Sequence, residues 1–318
     1  MPDSPAFQIA KGFDEWFGYL DQQHAHNYYT GHLWENQGEV LLPENWGNQK
    51  RVYTHDLFTK RGLGFLDRHR NDPFFLYLAF TIPHANNEAV HYAEHGMEVP
   101  SDAPYSDKPW PAVERAFAAM VNRLDESVGK VLASLKANGI DNRTLVIFAS
   151  DNGPHHEGKH DPAFFHSSGP LRGIKRDLYE GGIRVPFLAR WPGKIQAGRV
   201  SDQLLAFWDF LRTAVELTGS RMPAGLDGIS MMPALLGKPQ RNHEYLYWEF
   251  YEGGFKQAVR QGDWKAVRLK IGAIPELYNL KDDLGETRNV ASQNPAKAAE
   301  LARLMDQAHV DSADWPVR

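Results

Sequence analysis

Two apolar runs separated by one long amphipathic stretch limit most strongly what this chain can become. Residues 73–84 read PFFLYLAFTIPH and are almost wholly apolar and aromatic from 74 to 82, the pattern of a strand buried on both faces. From 111 to 138 the positions Val113, Phe117, Met120, Val121, Leu124, Val128, Val131, Leu132 and Leu135 recur at three- and four-residue steps, and Gly139 stands where a helix-ending glycine belongs. TLVIFAS at 144–150 is a second buried strand and runs directly into Asp151-Asn152-Gly153. Strand, helix and strand in this order predict a right-handed crossover in a largely parallel central sheet flanked by helices, an α/β fold. Ligands of such sheets bind just beyond the carboxyl ends of the strands, which singles out His84 on one strand and Asp151 with Asn152 on the other.

Other segments read less sharply. A shorter helix is expected over 55–69, with Leu57, Phe58, Phe65 and Leu66 on one face, although Gly62 and Gly64 weaken it. RVPFLAR at 184–190 reads as a strand before the turn WPGK. After 237 the texture changes: EYLYWEF, KQAVRQGDWKAVRL and PELYNL look like short antiparallel strands with a tight turn at Gln261-Gly262-Asp263, and a helix follows from 295 to about 308. The expected division is therefore an α/β domain over 1–237 and a small α+β subdomain over 238–318, joined through GLDGISMMPALLGKPQRN.

Composition excludes several classes. With 42% hydrophobic and 24% charged residues in 318, the chain suits a globular protein with a sizeable core. It has no run of about 18 apolar residues to span a membrane, and the opening MPDSPAFQIAKGFDEW lacks the basic-then-apolar layout of a secretory signal. Without cysteine there is no disulfide framework, thiolate metal site or cysteine nucleophile. A net charge of −5 argues against a dedicated nucleic-acid binder. The charge is uneven, however: between 155 and 176 lie four histidines with Lys159, Arg172, Lys175 and Arg176, which form either an anion-attracting pocket or a solvated basic loop.

Within that stretch His156-Glu157-Gly158-Lys159-His160 spells the His-Glu-x-x-His signature of zinc metallopeptidases. The signature works only on a helix, where i, i+4 spacing turns both imidazoles toward one metal. Gly153 and Pro154 precede it, Gly158 sits inside it and Asp161-Pro162 follows, so a helix is disfavoured. Asp151-Asn152 suits a hard cation such as Ca2+, which takes six to eight oxygen ligands, and equally suits a tight turn after a strand.

Several segments in one order resemble the sulfatases of the arylsulfatase type, within the alkaline-phosphatase-like superfamily. They are GFDEWFGYL at 12–20, PFFLYLAFTIPH at 73–84, SDNG at 150–153, SSGPLRGIKRDLYEGGIRVPFLARWPG at 167–193, and GDWKAV with LYNLKDDLGE toward the end. The resemblance covers nearly the whole chain, and EGGIRVP downstream of SDNG is its most specific part. It implies a hydrolase of sulfate esters, with a sulfated carbohydrate as the preferred substrate class and a periplasmic or secreted setting. It also implies a Ca2+ site that includes Asp151 and Asn152, and a formylglycine nucleophile made from Cys/Ser-x-Pro-Ser-Arg. That motif and two further aspartates lie upstream of the GFDEWFGYL-type segment in the family, so the chain looks like a sulfatase without its N-terminal part, its Ca2+ site incomplete and the formylglycine without a counterpart. Ser168-Gly169-Pro170-Leu171-Arg172 and Asp282-Asp283 mimic the missing motifs but match the family's ordinary loop and C-terminal turn.

By the same resemblance His84 and Lys175 contact the sulfate, His84 being a candidate to protonate the leaving oxygen. Glu180 and Arg184 orient the glycine loop between them through a buried ion pair. His155, His156, His160, Asp161 and Arg172 are placed to read the organic part of the substrate, though solvated loop residues would look alike. The competing expectation is a catalytically inactive, sulfatase-derived binding protein that keeps the pocket and lacks the nucleophile.

Overall fold

The computed structural model describes residues 8–317, and along them the chain gathers into two units: residues up to 144 together with 155–164, and 145–154 together with residues from 165 onward. The division expected at 237 is not where the chain separates.

In the first unit, strand β1 (Phe17–Gly18), helix α1 (Gln22–His26) and strands β2 (His32–Glu35) and β3 (Gly38–Leu41) precede two longer helices, α2 (Thr54–Arg68) and α3 (Ala112–Ala137). The order β1-β2-β3 is antiparallel, with His32 opposite Leu41 and Trp34 opposite Glu39. Gly62, which weakens the sequence case for α2, sits in close packing: a Cβ there would stand 2.8 Å from Cδ2 of Leu78, so any larger residue needs that side chain to shift. Without that Cβ the apolar run at 74–82 lies against the helix, where Phe65 meets Phe74 edge to face at 5.9 Å and His55 meets Phe80 at 4.6 Å.

That run departs from expectation. It is extended but joins no ladder among the described residues, and positions 74, 76, 78 and 80 are half-buried while Phe75 and Tyr77 are 57% and 69% exposed. A strand buried on both faces needs cover on both, and this unit covers one. Helix α3 follows its pattern closely. At its end Gly139 takes φ +66° and donates to Lys136 O at 3.1 Å, while Ile140 N donates to Leu135 O at 3.0 Å, the two bonds of a Schellman ending. Ala116 and Met120 of α3 pack into a core with Tyr28, Tyr53, Ile82, Ala85 and Met97.

The second unit holds strand β4 (Val146–Ala149), helix α4 (Glu180–Ile183), strand β5 (Phe187–Arg190), helices α5 (Asp209–Thr218) and α6 (Met232–Leu235), strands β6 (Leu246–Phe250), β7 (Lys256–Gln261), β8 (Trp264–Arg268) and β9 (Glu276–Asn279), and helix α7 (Pro295–Ala308). β4 pairs with β5 antiparallel, Ala149 opposite Phe187. Every ladder among the described residues is antiparallel, so the parallel pairing expected of the two apolar runs is not among them. β6 to β9 form a meander whose β7–β8 turn rests on Gly262 at φ +58°. Period-two alternation buries both its faces: Val259, Ala266 and Leu277 meet Leu301 and Met305 of α7, while Ala258, Val267 and Tyr278 meet Leu178 and Tyr179. This second core explains why no boundary falls at 237, since the C-terminal sheet is completed by residues preceding α4.

Candidate active site

In the second unit three pieces of backbone close on one another at glycines. Gly153, just past β4, donates to Gly182 O at 2.9 Å, and a Cβ on it would lie 1.8 Å from Gly181 O. Gly181 donates to Arg172 O at 2.7 Å, and a Cβ there would lie 2.2 Å from Gly173 O. No side chain fits such a spacing, so glycine is obligatory at both positions. The same interleaving brings Lys175 in, its N–H donating to Pro154 O at 2.8 Å.

Asp151, Asn152, Lys175, Arg172 and Glu180 are thus held by one loop cluster. Asp151 is exposed, and its Oδ1 accepts from Asn152 N at 3.0 Å. Asn152 uses its amide nitrogen on Gly153 O at 2.8 Å, while Ser150 Oγ donates to Asn152 O at 2.9 Å. Arg172 turns toward the C-terminal sheet, donating from Nη1 to Tyr278 Oη at 2.9 Å and Glu286 O at 3.0 Å, with its guanidinium 3.8 Å from the Tyr179 ring centroid. That set of contacts anchors the loop.

Glu180 is more deeply held than the sequence indicates. Arg184 lies 3.6 Å away and is 47% exposed, whereas Lys265 lies 3.0 Å and Arg260 3.2 Å from the buried carboxylate. The expected Glu180–Arg184 pair is therefore the outer, weaker contact. Lys265 also meets Glu286 at 2.9 Å, and Glu286 Oε2 accepts from Glu180 N at 2.6 Å. Burial pushes the Glu286 carboxyl upward, against the lowering effect of Lys265. Lys265 and Glu286 were not singled out from the sequence, although both lie in GDWKAV and LYNLKDDLGE.

The first unit carries a histidine cluster. His84 lies 3.6 Å from Glu157 through Nε2, with Nδ1 donating to Ala85 O at 2.8 Å. Its ring stacks on His26 at 5.3 Å and 6° and meets the tilted ring of His155 at 5.1 Å. His155 is buried; its Nδ1 accepts from Glu157 N at 3.1 Å and its Nε2 donates to Pro83 O at 3.0 Å, which fixes the neutral tautomer. Burial lowers its pKa to about 4. The 3.2 Å contact between His155 Nδ1 and Glu157 is accordingly not an ion pair at neutral pH.

The remaining candidates divide. His160 is buried, pairs through Nδ1 with Glu114 at 2.7 Å and stacks on Phe117 at 3.8 Å, while the same carboxylate accepts Asp161 N at 2.9 Å. His156 and Asp161 are exposed. The stretch 157–159 is a short 3-10 turn with Gly158 at φ +65°, not the α-helix that a His-Glu-x-x-His zinc site requires. Gly158 is fixed by contact, since a Cβ would meet that of Ala85 at 2.5 Å. Both mimics serve local turns: Ser168 Oγ donates to Gly173 O at 2.9 Å, and Asp283 accepts from Thr287 N and Arg288 N at 3.1 and 2.8 Å.

Fold and loop together define a class: α/β proteins that gather hard oxygen donors and a lysine just past the end of a strand. The chain belongs to the sulfatase family. The Sulfatase family model matches residues 3–220, and that described as N-sulphoglucosamine sulphohydrolase, C-terminal, matches residues 174–311. Mouse (Mus musculus) steryl-sulfatase is 36% identical over 279 residues, covering 77% of this chain and 42% of that protein. Mouse N-acetylgalactosamine-6-sulfatase is 32% identical over 288 residues, covering 82% of this chain and 49% of that protein. The chain thus spans about half the length of the curated relatives it matches. Among solved structures, the crystal structure of Ps i-CgsB in complex with k-i-k-neocarrahexaose superposes with a TM-score of 0.80 at 27% identity, over 96% of this chain and 68% of that one. The likeness bears out the α/β, alkaline-phosphatase-like fold class. Among the described residues no helix is long and apolar enough to cross a membrane.

Proposed function

We propose that this chain is the anion- and substrate-handling part of a sulfuric ester hydrolase acting on sulfated carbohydrate. The observation that carries the reading is the backbone docking of Lys175 N–H on Pro154 O, which holds the main chain of a lysine against the segment that follows Asp151-Asn152. Charge on the nonbridging sulfate oxygens is what such a cation stabilises, and stabilisation of developing charge is commonly the largest catalytic contribution. His84 contributes differently. Its Nδ1 donates to Ala85 O, which turns Nε2 toward Glu157 at 3.6 Å, and Nε2 is the atom we assign to proton transfer. His156 and Asp161, both exposed, are assigned to the organic part of the substrate; His155, His160 and Arg172 are assigned to holding the segments that bear the others.

Asp151 and Asn152 have the donor chemistry of a Ca2+ site but supply two of the six to eight oxygens such an ion takes. Among the described residues no group of three or more His, Cys, Asp or Glu could hold a metal. These residues fit part of a shell, and a bound Ca2+ would add positive charge opposite the sulfate. The chain has no Cys/Ser-x-Pro-Ser-Arg segment to mature into formylglycine, so no nucleophilic step is assigned to it. The family's periplasmic or secreted setting is part of the same proposal.

Calorimetry with inorganic sulfate and Ca2+ tests the reading. Lys175→Ala and His84→Ala should each weaken sulfate binding by about tenfold, and Asp151→Asn should remove the weak Ca2+ signal. Unchanged sulfate affinity in both first variants sinks the assignment. Incubation with a chromogenic aryl sulfate should give no turnover; turnover abolished by Ser168→Ala would instead make Ser168 the nucleophile.

A further inference from the structure

A cavity of about 490 Å3 opens in the first unit, within the range of about 300–1,000 Å3 usual for small-molecule sites. Its wall includes Asp21, His24, Trp34, Asn86, Glu88 and Tyr92, and among the described residues no Lys or Arg lines it. The wall is built rather than incidental. His24 stacks on His32 at 4.5 Å and is fixed through Nε2 to His32 O at 3.0 Å. Asn86, 2% exposed, donates to Glu98 at 2.7 Å and to the Tyr92 hydroxyl at 3.3 Å. Tyr92 keeps 64% exposure, so its ring remains available. One wall residue connects to His84 through a single intervening ring: Glu88 holds His26 Nδ1 at 3.0 Å, and the His26 ring stacks on His84 at 5.3 Å.

We propose that this cavity is a carbohydrate subsite that takes an uncharged, hydroxylated sugar ring next to the sulfated one. The assignment of a neighbouring sulfated ring rests on the function proposed above. Aromatic side chains such as Trp34 and Tyr92 offer flat apolar faces with polar edges, suited to a ring whose own faces are apolar and whose rim carries hydroxyls. Asp21 and Glu88 accept hydrogen bonds from hydroxyl groups, while Asn86, its amide already engaged with Glu98, Tyr92 and Ala89 N, holds the wall that bears Tyr92. The signs of the charges decide what is refused. Two carboxylates without a neighbouring lysine or arginine repel a sulfate, so the sugar in this cavity is one that bears none.

The test is titration of the 318-residue chain with neutral disaccharides (lactose, cellobiose and maltose), followed by saturation-transfer NMR and tryptophan fluorescence. At least one should bind saturably with Kd near about 1 mM, and Trp34→Ala and Tyr92→Ala should each weaken it roughly tenfold. Tyr92 is exposed enough that its removal leaves the core intact, so the result does not hinge on the Trp34 variant folding. Glu88→Arg should let the 6-sulfated form of the bound disaccharide compete with the neutral form where the parent prefers the neutral one. Absence of saturable binding by all three sugars, or binding indifferent to both aromatic variants, overturns the subsite. Inorganic sulfate titrated in parallel separates this outcome from the other reading. Sulfate binding indifferent to Lys175 and His84 while disaccharide binding depends on Trp34 and Tyr92 removes the proposed hydrolase site and leaves the sugar site standing.

Discussion

Two buried histidines set how the chain responds to acid. His155 and His55 are both held neutral by burial, each with its pKa lowered to about 4 from an ordinary 6.5. His55 Nε2 meets Ser127 Oγ at 2.9 Å, and because that hydroxyl donates to Arg123 O, the imidazole is the donor; its Nδ1 is buried without a partner. The unfolded chain takes up these protons near 6.5, the folded chain only near 4. Their contribution to stability is therefore flat above about 6.5 and falls as pH is lowered toward 4, by on the order of 2–3 kcal/mol for each histidine. Urea denaturation at pH 7 and pH 5 should show the drop, and His55→Gln should flatten it. An unaltered pH dependence in both His55→Gln and His155→Gln would mean that other groups carry it.

At the scale of elements, Lys265 on β8 neutralises two carboxylates, Glu180 at the start of α4 and Glu286 beyond β9. A buried pair is weak support for stability as such, but removing one partner leaves uncompensated charge and costs about 3–5 kcal/mol. Lys265→Met should lower the urea midpoint accordingly, and adding Glu286→Gln should recover part of the loss because one buried charge disappears. A Lys265→Met cost under about 1 kcal/mol would show that the cluster is not closed to water. Much of this element was open to reading beforehand. Helix α3 ended at its glycine, and the C-terminal strands and α7 followed from alternation and spacing. The Glu180 partners were not readable, because nothing local in sequence says that residues 80 and 85 positions away will meet its carboxylate and one 106 positions away its backbone N–H. β1 to β3 were missed for another reason: HLWE and GEVL carry too few apolar residues to announce a period of two.

For the molecule as a whole, exposed apolar surface is the distinctive property. Phe75 and Tyr77, on the run that joins no ladder among the described residues, and Leu188 on β5 are 57%, 69% and 62% exposed, unusual for segments of such hydrophobicity. Patches of this kind mark interaction surfaces or aggregation sites. A hydrophobic dye should bind the native chain at neutral pH, and Tyr77→Ser should reduce that binding without lowering the melting temperature. A dye signal that appears only on unfolding would contradict the exposure described. The sequence reads Phe75 and Tyr77 as buried because hydrophobicity alone cannot tell whether a strand's second face will be covered within the same chain.

The meeting of Gly153, Gly181 and Gly173 bears on how such a protein can diversify. Where main chain touches main chain, no side chain is available to be exchanged, and Gly153→Ala would drive a methyl to 1.8 Å from a carbonyl oxygen. The loop that presents Asp151, Asn152 and Lys175 is therefore closed to gradual change: a substitution there either preserves its shape or abolishes it. Variation in what the chain recognises has to accumulate at positions whose neighbours can yield, such as Trp34, Glu88 and Tyr92. A library randomised at those three should yield folded proteins with altered sugar preference, whereas one randomised at Gly153, Gly173 and Gly181 should return the parent residues.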